Sequence, residues 1–137
     1  MIRDFELKDL REILEIEKDS FPKTAYSAPV LLYLSHYYRF LVYDDGRILG
    51  YIAYDPKDGH VISIAVRPES RRKGIGKELM SEMFKECKSS WLEVRVSNEN
   101  AQRFYERLGF QLNGRIDGYY DGEDALVMVR AEPQDET

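Results

Sequence analysis

Apolar residues recur along the chain with two spacings that alternate from segment to segment. From Leu7 to Ser20, Leu7, Leu10, Ile13 and Leu14 fall on one side and Lys8, Glu15, Glu17 and Lys18 on the other, the period of an amphipathic helix. Pro22 ends it, Phe21–Pro29 reads as a loop, and Val30 to Tyr38 reads as a shorter helix. Phe40–Tyr43 and Ile48–Tyr54 then flank Asp45-Gly46, the dipeptide of a type I′ hairpin turn. After a turn at Asp55–Gly59, the run His60-Val61-Ile62-Ser63-Ile64-Ala65-Val66 is almost continuously apolar, as in a strand buried on both faces. Gly74 to Lys88 places Ile75, Leu79, Met80, Met83, Phe84 and Cys87 on one helical face. Trp91–Val96 alternates as a strand does. Ala101, Phe104, Tyr105 and Leu108 make another helical stripe, closed by Gly109 where a left-handed cap belongs. Phe110–Tyr120 and Glu123–Arg130 predict a hairpin about Asp121-Gly122, and the polar tail Ala131–Thr137 predicts disorder.

This order is that of a mixed α/β domain without internal repeat or linker, so residues 1–137 are expected to form one domain large enough to bury a core unaided. Composition narrows the function more than the fold. The net charge is −5, and no basic block runs beyond Arg71-Arg72-Lys73, which argues against nucleic acid as a partner. Cys87 stands alone on an apolar stripe, so neither a disulfide framework nor a thiolate metal site is expected. His36 and His60 are the only histidines, neither with a second metal ligand nearby in sequence, and a metal or histidine-based triad is not expected. No stretch approaches the roughly 18 apolar residues of a membrane span, and no signal-peptide run opens the chain. A cytoplasmic protein is the expectation.

One turn carries chemistry on its own account. In Arg71-Arg72-Lys73-Gly74-Ile75-Gly76-Lys77 the glycines stand at the first turn of the long helix, where backbone N–H groups lack internal partners and the helix dipole is positive. A pyrophosphate accepts such donors, and Arg71, Arg72, Lys73 and Lys77 add positive charge. A dinucleotide fingerprint would need glycine at 79, where Leu79 stands. A Walker loop would need glycine at 71 and Ser or Thr at 78, where Arg71 and Glu78 stand. On spacing alone, a plain helix start with solvated basic residues remains equally open.

Ile64-Ala65-Val66-Arg67-Pro68 followed by Arg71-x-x-Gly74-x-Gly76 resembles the signature of the GNAT superfamily of acetyl-CoA-dependent N-acetyltransferases. Leu92-Glu93-Val94-Arg95-Val96-Ser97-Asn98, then Ala101, Tyr105 and Gly109-Phe110, is similar to its N-terminal protein acetyltransferase branch, typified by the ribosomal-protein-alanine N-acetyltransferases. Tyr119-Tyr120 with Asp121–Ala125 belongs to the same resemblance, which runs from about residue 60 to 129 and, in pattern, over the first 55 residues. It implies a twisted, mostly antiparallel sheet of about seven strands, splayed at the cofactor site and flanked by about four helices. It also implies roles. The backbone of Ile64, Ala65 and Val66 would pair with the pantetheine arm of acetyl-CoA, and the turn from Arg71 through Ile75 to Lys77 would hold the pyrophosphate. Asn98 would bind the cofactor arm near the thioester, Glu93 would be the general base and Tyr105 the general acid. Tyr26, Tyr119 and Tyr120 would wall the acceptor groove. Two departures fall on the acceptor side: Phe21-Pro22-Lys23-Thr24-Ala25-Tyr26-Ser27 lacks the family's tryptophan, and Tyr119-Tyr120 joins Asp121-Gly122 without intervening residues.

The chemistry suits these residue types. An α-amino group has a pKa of about 7.7–8.0 and a lysine side chain about 10.4, so a carboxylate suffices to take a proton from an N-terminus near neutrality. A thiolate leaving group, near 8.5 by analogy with cysteine, can be protonated by a tyrosine of pKa about 10. Read without the resemblance, Glu93 could equally be a solvated partner of Arg95, Tyr105 a core aromatic, Asn98 a helix cap, and Tyr119 and Tyr120 hairpin aromatics packing across strands. The resemblance implies acetyl transfer, with a protein or peptide N-terminus as the leading acceptor. Direct attack in a ternary complex is expected because no Cys or Ser is placed to form an acyl-enzyme, and a monomer or a homodimer without metal or membrane is expected. A lysine side chain, a polyamine or another small amine is the alternative acceptor. A non-catalytic CoA-binding regulatory module is the alternative of another class.

Overall fold

The structure is a computed structural model that describes residues 1–131; the expected disorder of the tail lies, after Ala131, outside the described residues. Strand β1 (Ile2–Asp4) leads through a 3-10 turn at Leu7–Asp9 into α1 (Leu10–Ser20) and α2 (Ala28–Tyr37). Strands β2 (Arg39–Asp44), β3 (Ile48–Asp55) and β4 (His60–Val66) follow, then α3 (Ile75–Glu86), β5 (Ser90–Arg95), α4 (Glu99–Arg107), β6 (Gln111–Tyr120) and β7 (Glu123–Arg130). Helix α2 begins earlier than its periodicity predicts, because Pro29 sits in the first turn, where a missing N–H costs nothing. Among the described residues the sheet has seven strands in the order β1-β2-β3-β4-β5-β7-β6. Every neighbouring pair is antiparallel except β4 with β5.

Two apolar cores lie on opposite faces of this sheet. On one, Ile13 and Ile16 of α1 and Leu31 and Leu34 of α2 pack on Phe40, Val42, Tyr51 and Ala65. On the other, Leu79, Met80 and Met83 of α3 pack on Ile52, Tyr54, Leu92 and Val94. Cys87 is buried in this second core as a free thiol.

The two Asp-Gly turns behave differently. At Asp121-Gly122 both residues take positive φ (45° and 93°), and Tyr120 pairs directly with Glu123, the predicted two-residue turn. At Asp45-Gly46 only Gly46 is left-handed (φ 85°), Asp44 pairs with Ile48, and the strand slips register after Tyr43. That loop is three residues long with a bulge and is not type I′.

The sheet departs from expectation most at β4. The register against β3 skips Ile62: Ala53 pairs with Ser63, and Tyr54 with Val61. This bulge turns the side-chain alternation over, so Val61 joins Ile64 on the α3 face while His60 comes to the face of Ser63 and Ala65. Strands β4 and β5 pair only at His60 and Trp91. At that end they are pinned, since Trp91 N–H donates to the Gly59 carbonyl at 3.0 Å and the Ser90 hydroxyl to the same oxygen at 2.9 Å. A Cβ on Gly59 would meet the Ser89 carbonyl oxygen at 2.0 Å, so only glycine fits there. Beyond the pin the strands part. Burial of β4 on both faces is therefore corrected: Ile62, Ile64 and Val66 are half-exposed along a free edge.

Candidate active site

The parted strands open a cleft of about 1100 Å³. Ile64, Ala65 and Val66 form one wall, Phe104 and Tyr105 of α4 another, and the glycine turn its mouth. In that turn Arg72 (φ 64°) and Gly74 (φ 83°) are both left-handed, which curls successive peptide groups into a concave nest. The N–H groups from Arg72 to Lys77 take no protein acceptor among the described residues, and the first helical bond of α3 runs from Glu78 N–H to the Gly74 carbonyl. The donor set thus fits an anion of pyrophosphate type. Gly76 is needed for another reason: a Cβ there would approach the tip of the Phe104 ring at 3.2 Å.

Most residues expected at a cofactor meet on this cleft, namely Ile64 to Val66, Arg71, Arg72, Gly74 to Lys77, Asn98 and Tyr105. Lys73 is exposed and does not line it. Arg71 is partly committed elsewhere, since its Nε donates to the Val66 carbonyl at 3.0 Å and its Nη2 to the Ser20 hydroxyl at 3.3 Å, fixing the free end of β4. Asn98 does cap α4, accepting the Ala101 N–H at 3.1 Å, while still lining the cleft. Tyr105 is nearly buried between the ring edges of Phe104 and Phe110. Burial, reinforced by neighbouring Tyr120, pushes its phenol well above the usual tyrosine range.

Across the gap lies a second group of side chains. Glu93, on the β5 face opposite Leu92 and Val94, keeps only 10% of its side chain exposed. Its Oε1 is 2.6 Å from His60 Nε2, and its Oε2 accepts from the Tyr119 hydroxyl at 2.9 Å. His60 also stacks on Trp91, ring centres 3.9 Å apart. The Glu93–Arg95 pair that the sequence left open does not form. Arg95 donates to Glu123 at 3.1 Å and lies over the Tyr120 ring at 4.3 Å. Burial first, then the Glu93 carboxylate, pushes Tyr119 and Tyr120 up to about 12. Tyr26 is raised by burial and by the charges of Glu17 and Glu93. Tyr26, Tyr119 and Tyr120 therefore all gather near Glu93.

His60 is the residue that sequence reasoning missed. Strict alternation would set it with Ile64, on the far side from Glu93; only the skipped register at Ile62 brings it over, and no residue type announces that bulge. Its one legible sign was its place as the polar opening residue of an apolar strand.

Residues 8–110 match the family described as the Acetyltransferase (GNAT) family. An uncharacterised N-acetyltransferase of Methanocaldococcus jannaschii is 40% identical over 97% of this chain and 92% of its own length. An N-alpha-acetyltransferase of Saccharolobus solfataricus is 32% identical over 94% of this chain and 91% of its own. The crystal structure of the ribosomal-protein-S18-alanine N-acetyltransferase from Escherichia coli superposes with a TM-score of 0.84 at 26% identity, covering 100% of this chain and 97% of that one.

Proposed function

The chain belongs to the GNAT family of acetyltransferases, and on that premise we propose that it acetylates the N-terminal α-amino group of a protein or peptide. The observation that carries this reading is the position of Glu93. A shielded carboxylate, held by His60 and Tyr119 and surrounded by tyrosines, sits at the gap whose other side is the cleft. The named activities of the Saccharolobus and Escherichia relatives support the same acceptor class.

Acetyl-CoA, the family's donor, supplies an acetyl group activated as a thioester. The nest from Arg72 to Lys77 would hold its pyrophosphate, and the free edge Ile64–Val66 its pantetheine arm. The neutral amine attacks the thioester carbon, and Glu93 takes the proton it sheds as the C–N bond forms, directly or through one water. His60 donates from Nε2 to Oε1 of Glu93 and fixes its orientation. Tyr105, kept protonated by burial, holds a proton for the departing sulfur. Transfer is direct: the one cysteine, Cys87, is buried in the α3 core, where burial pushes its thiol up and away from nucleophilic form. The test is to incubate the protein and acetyl-CoA with peptides of varied first residue, the same peptides N-terminally blocked, and polyamines. Mass spectrometry should place the acetyl group on free α-amines alone. Equal acetylation of blocked peptides at lysine, or turnover of polyamines only, would reassign the acceptor. Binding of acetyl-CoA without any transfer would make this a regulatory module.

A further inference from the structure

Glu17 is an acid with no part in the chemistry above, yet it is 1% exposed. Full burial of a carboxylate is rare, since it gives up hydration that only specific hydrogen bonds restore. The bonds that Glu17 makes are all directed at the acceptor side. Its Oε2 accepts the backbone N–H of Tyr26 at 3.0 Å. Its Oε1 faces the Ser63 hydroxyl at 3.5 Å, and that hydroxyl shares a hydrogen bond of 2.7 Å with Tyr51. Its own backbone carbonyl accepts the Phe21 N–H at 2.7 Å. The Phe21 bond is an ordinary helix-terminal one, made whatever the side chain. What the Glu17 carboxylate adds is a brace that holds the loop between α1 and α2 at Tyr26 and ties it to β4 at Ser63, on the face to which the Ile62 bulge brings His60. Burial pushes the Glu17 carboxyl upward, and the Tyr26 and Ser63 bonds only partly offset that.

We propose that Glu17 is the positioning residue of the acceptor groove, setting the distance between its loop wall at Tyr26 and its strand wall at His60. It is 1% exposed and does not line the cleft, so it acts through the residues it holds. This rests on the reading that the groove takes a peptide N-terminus. It distinguishes the two substrates: loss of the brace displaces Tyr26 but leaves the nest and the free edge of β4 in place.

Steady-state kinetics of Glu17→Asp, Glu17→Gln and Glu17→Ala, using the best peptide from the acceptor panel, test it. Glu17→Asp keeps the charge but withdraws it by one methylene, while Glu17→Gln keeps the reach, an acceptor for Tyr26 and a donor for Ser63. Asp and Ala are expected to raise the KM for peptide about ten-fold, the scale of one lost hydrogen bond to a charged group, with the KM for acetyl-CoA within about two-fold of wild type. Gln should recover peptide KM to within about three-fold. Hydrogen exchange of the segment Phe21–Ser27 should speed up in the Asp variant and not in the Gln variant. A parallel rise of both KM values, or no change with Asp, overturns the proposal. If the Ala variant fails to fold, Asp and Gln decide alone. A wild type that acetylates no peptide removes the underlying reading, whereas active wild type with an unaltered Asp variant removes this inference only.

Discussion

The roles proposed for Glu93 and Tyr105 are opposite proton duties, and each rests on the surroundings of that side chain. Glu93 has both oxygens engaged, by His60 and Tyr119, so its orientation is set before an acceptor arrives. Tyr105 is raised by burial, and the sign of that shift matters: an acid works while protonated, so a raised pKa extends its range upward. With an α-amine acceptor, kcat/KM should rise with pH, level off above about pH 8 as the amine loses its proton, and stay level to about pH 10. A fall below pH 10 that vanishes in Tyr105→Phe would show that this tyrosine titrates low and would sink the assignment. Glu93→Gln should lower kcat about 100-fold or more, the scale of a lost general base, with acetyl-CoA affinity unchanged by calorimetry. The roles proposed for both came from the resemblance; spacing alone left Glu93 as a partner of Arg95 and Tyr105 as a core aromatic. His60 was legible by neither route, because a register skip of one residue inverts a whole face and leaves no compositional trace.

Among the elements, the turn before α3 shows how one backbone conformation can serve two purposes. Gly74 and Gly46 have nearly equal positive φ (83° and 85°), and nothing lies within 4 Å of a Cβ added to either. Alanine at each position should cost stability alike, roughly 1 kcal/mol of left-handed strain, and lower the melting temperature by a few degrees. Their functions should separate. Gly74→Ala relieves its strain by turning the donors of the nest away, so its Kd for acetyl-CoA should rise about ten-fold by titration calorimetry, while Gly46→Ala keeps the wild-type value. Equal losses of affinity would mean that the nest has no special part. The difference also explains what periodicity conveys. It placed the four helices and the strands from β2 to β7 to within a few residues, because burial on one face leaves a period, and gave no bounds for the three-residue β1. It misread β4, because an edge that lines a cleft is as apolar as a buried strand, and it misread the Asp45-Gly46 turn, because the slip after Tyr43 is set by the pairing of β2 with β3 and not by the dipeptide.

Across the whole molecule, the sheet is continuous in order but weakly joined at its middle. Strands β1 to β4 form one antiparallel block and β5, β7 and β6 another, and the ladder between the blocks is a single pair, His60 with Trp91. Helix α3, the bonds of Ser90 and Trp91 to Gly59, and the His60–Glu93 contact add to the join. A donor lying along the free edge of β4 and against Phe104 and Tyr105 would touch both blocks at once, and so would bind the native chain and not the unfolded one. Acetyl-CoA at 100 times its Kd should then stabilise the protein by about 2.7 kcal/mol, or roughly 10 °C in melting temperature for a domain of this size. The effect should be local as well: amide exchange should slow along Ile64–Val66 and at the start of α3, and not in β1, which lies at the far edge of the sheet. In Gly74→Ala the thermal shift at the same concentration should shrink in step with the weaker Kd, to about 1.4 kcal/mol if the loss is ten-fold. A protein whose melting temperature ignores acetyl-CoA, or whose exchange slows uniformly, would show that the gap between β4 and β5 is a feature of the fold and not the seat of the donor.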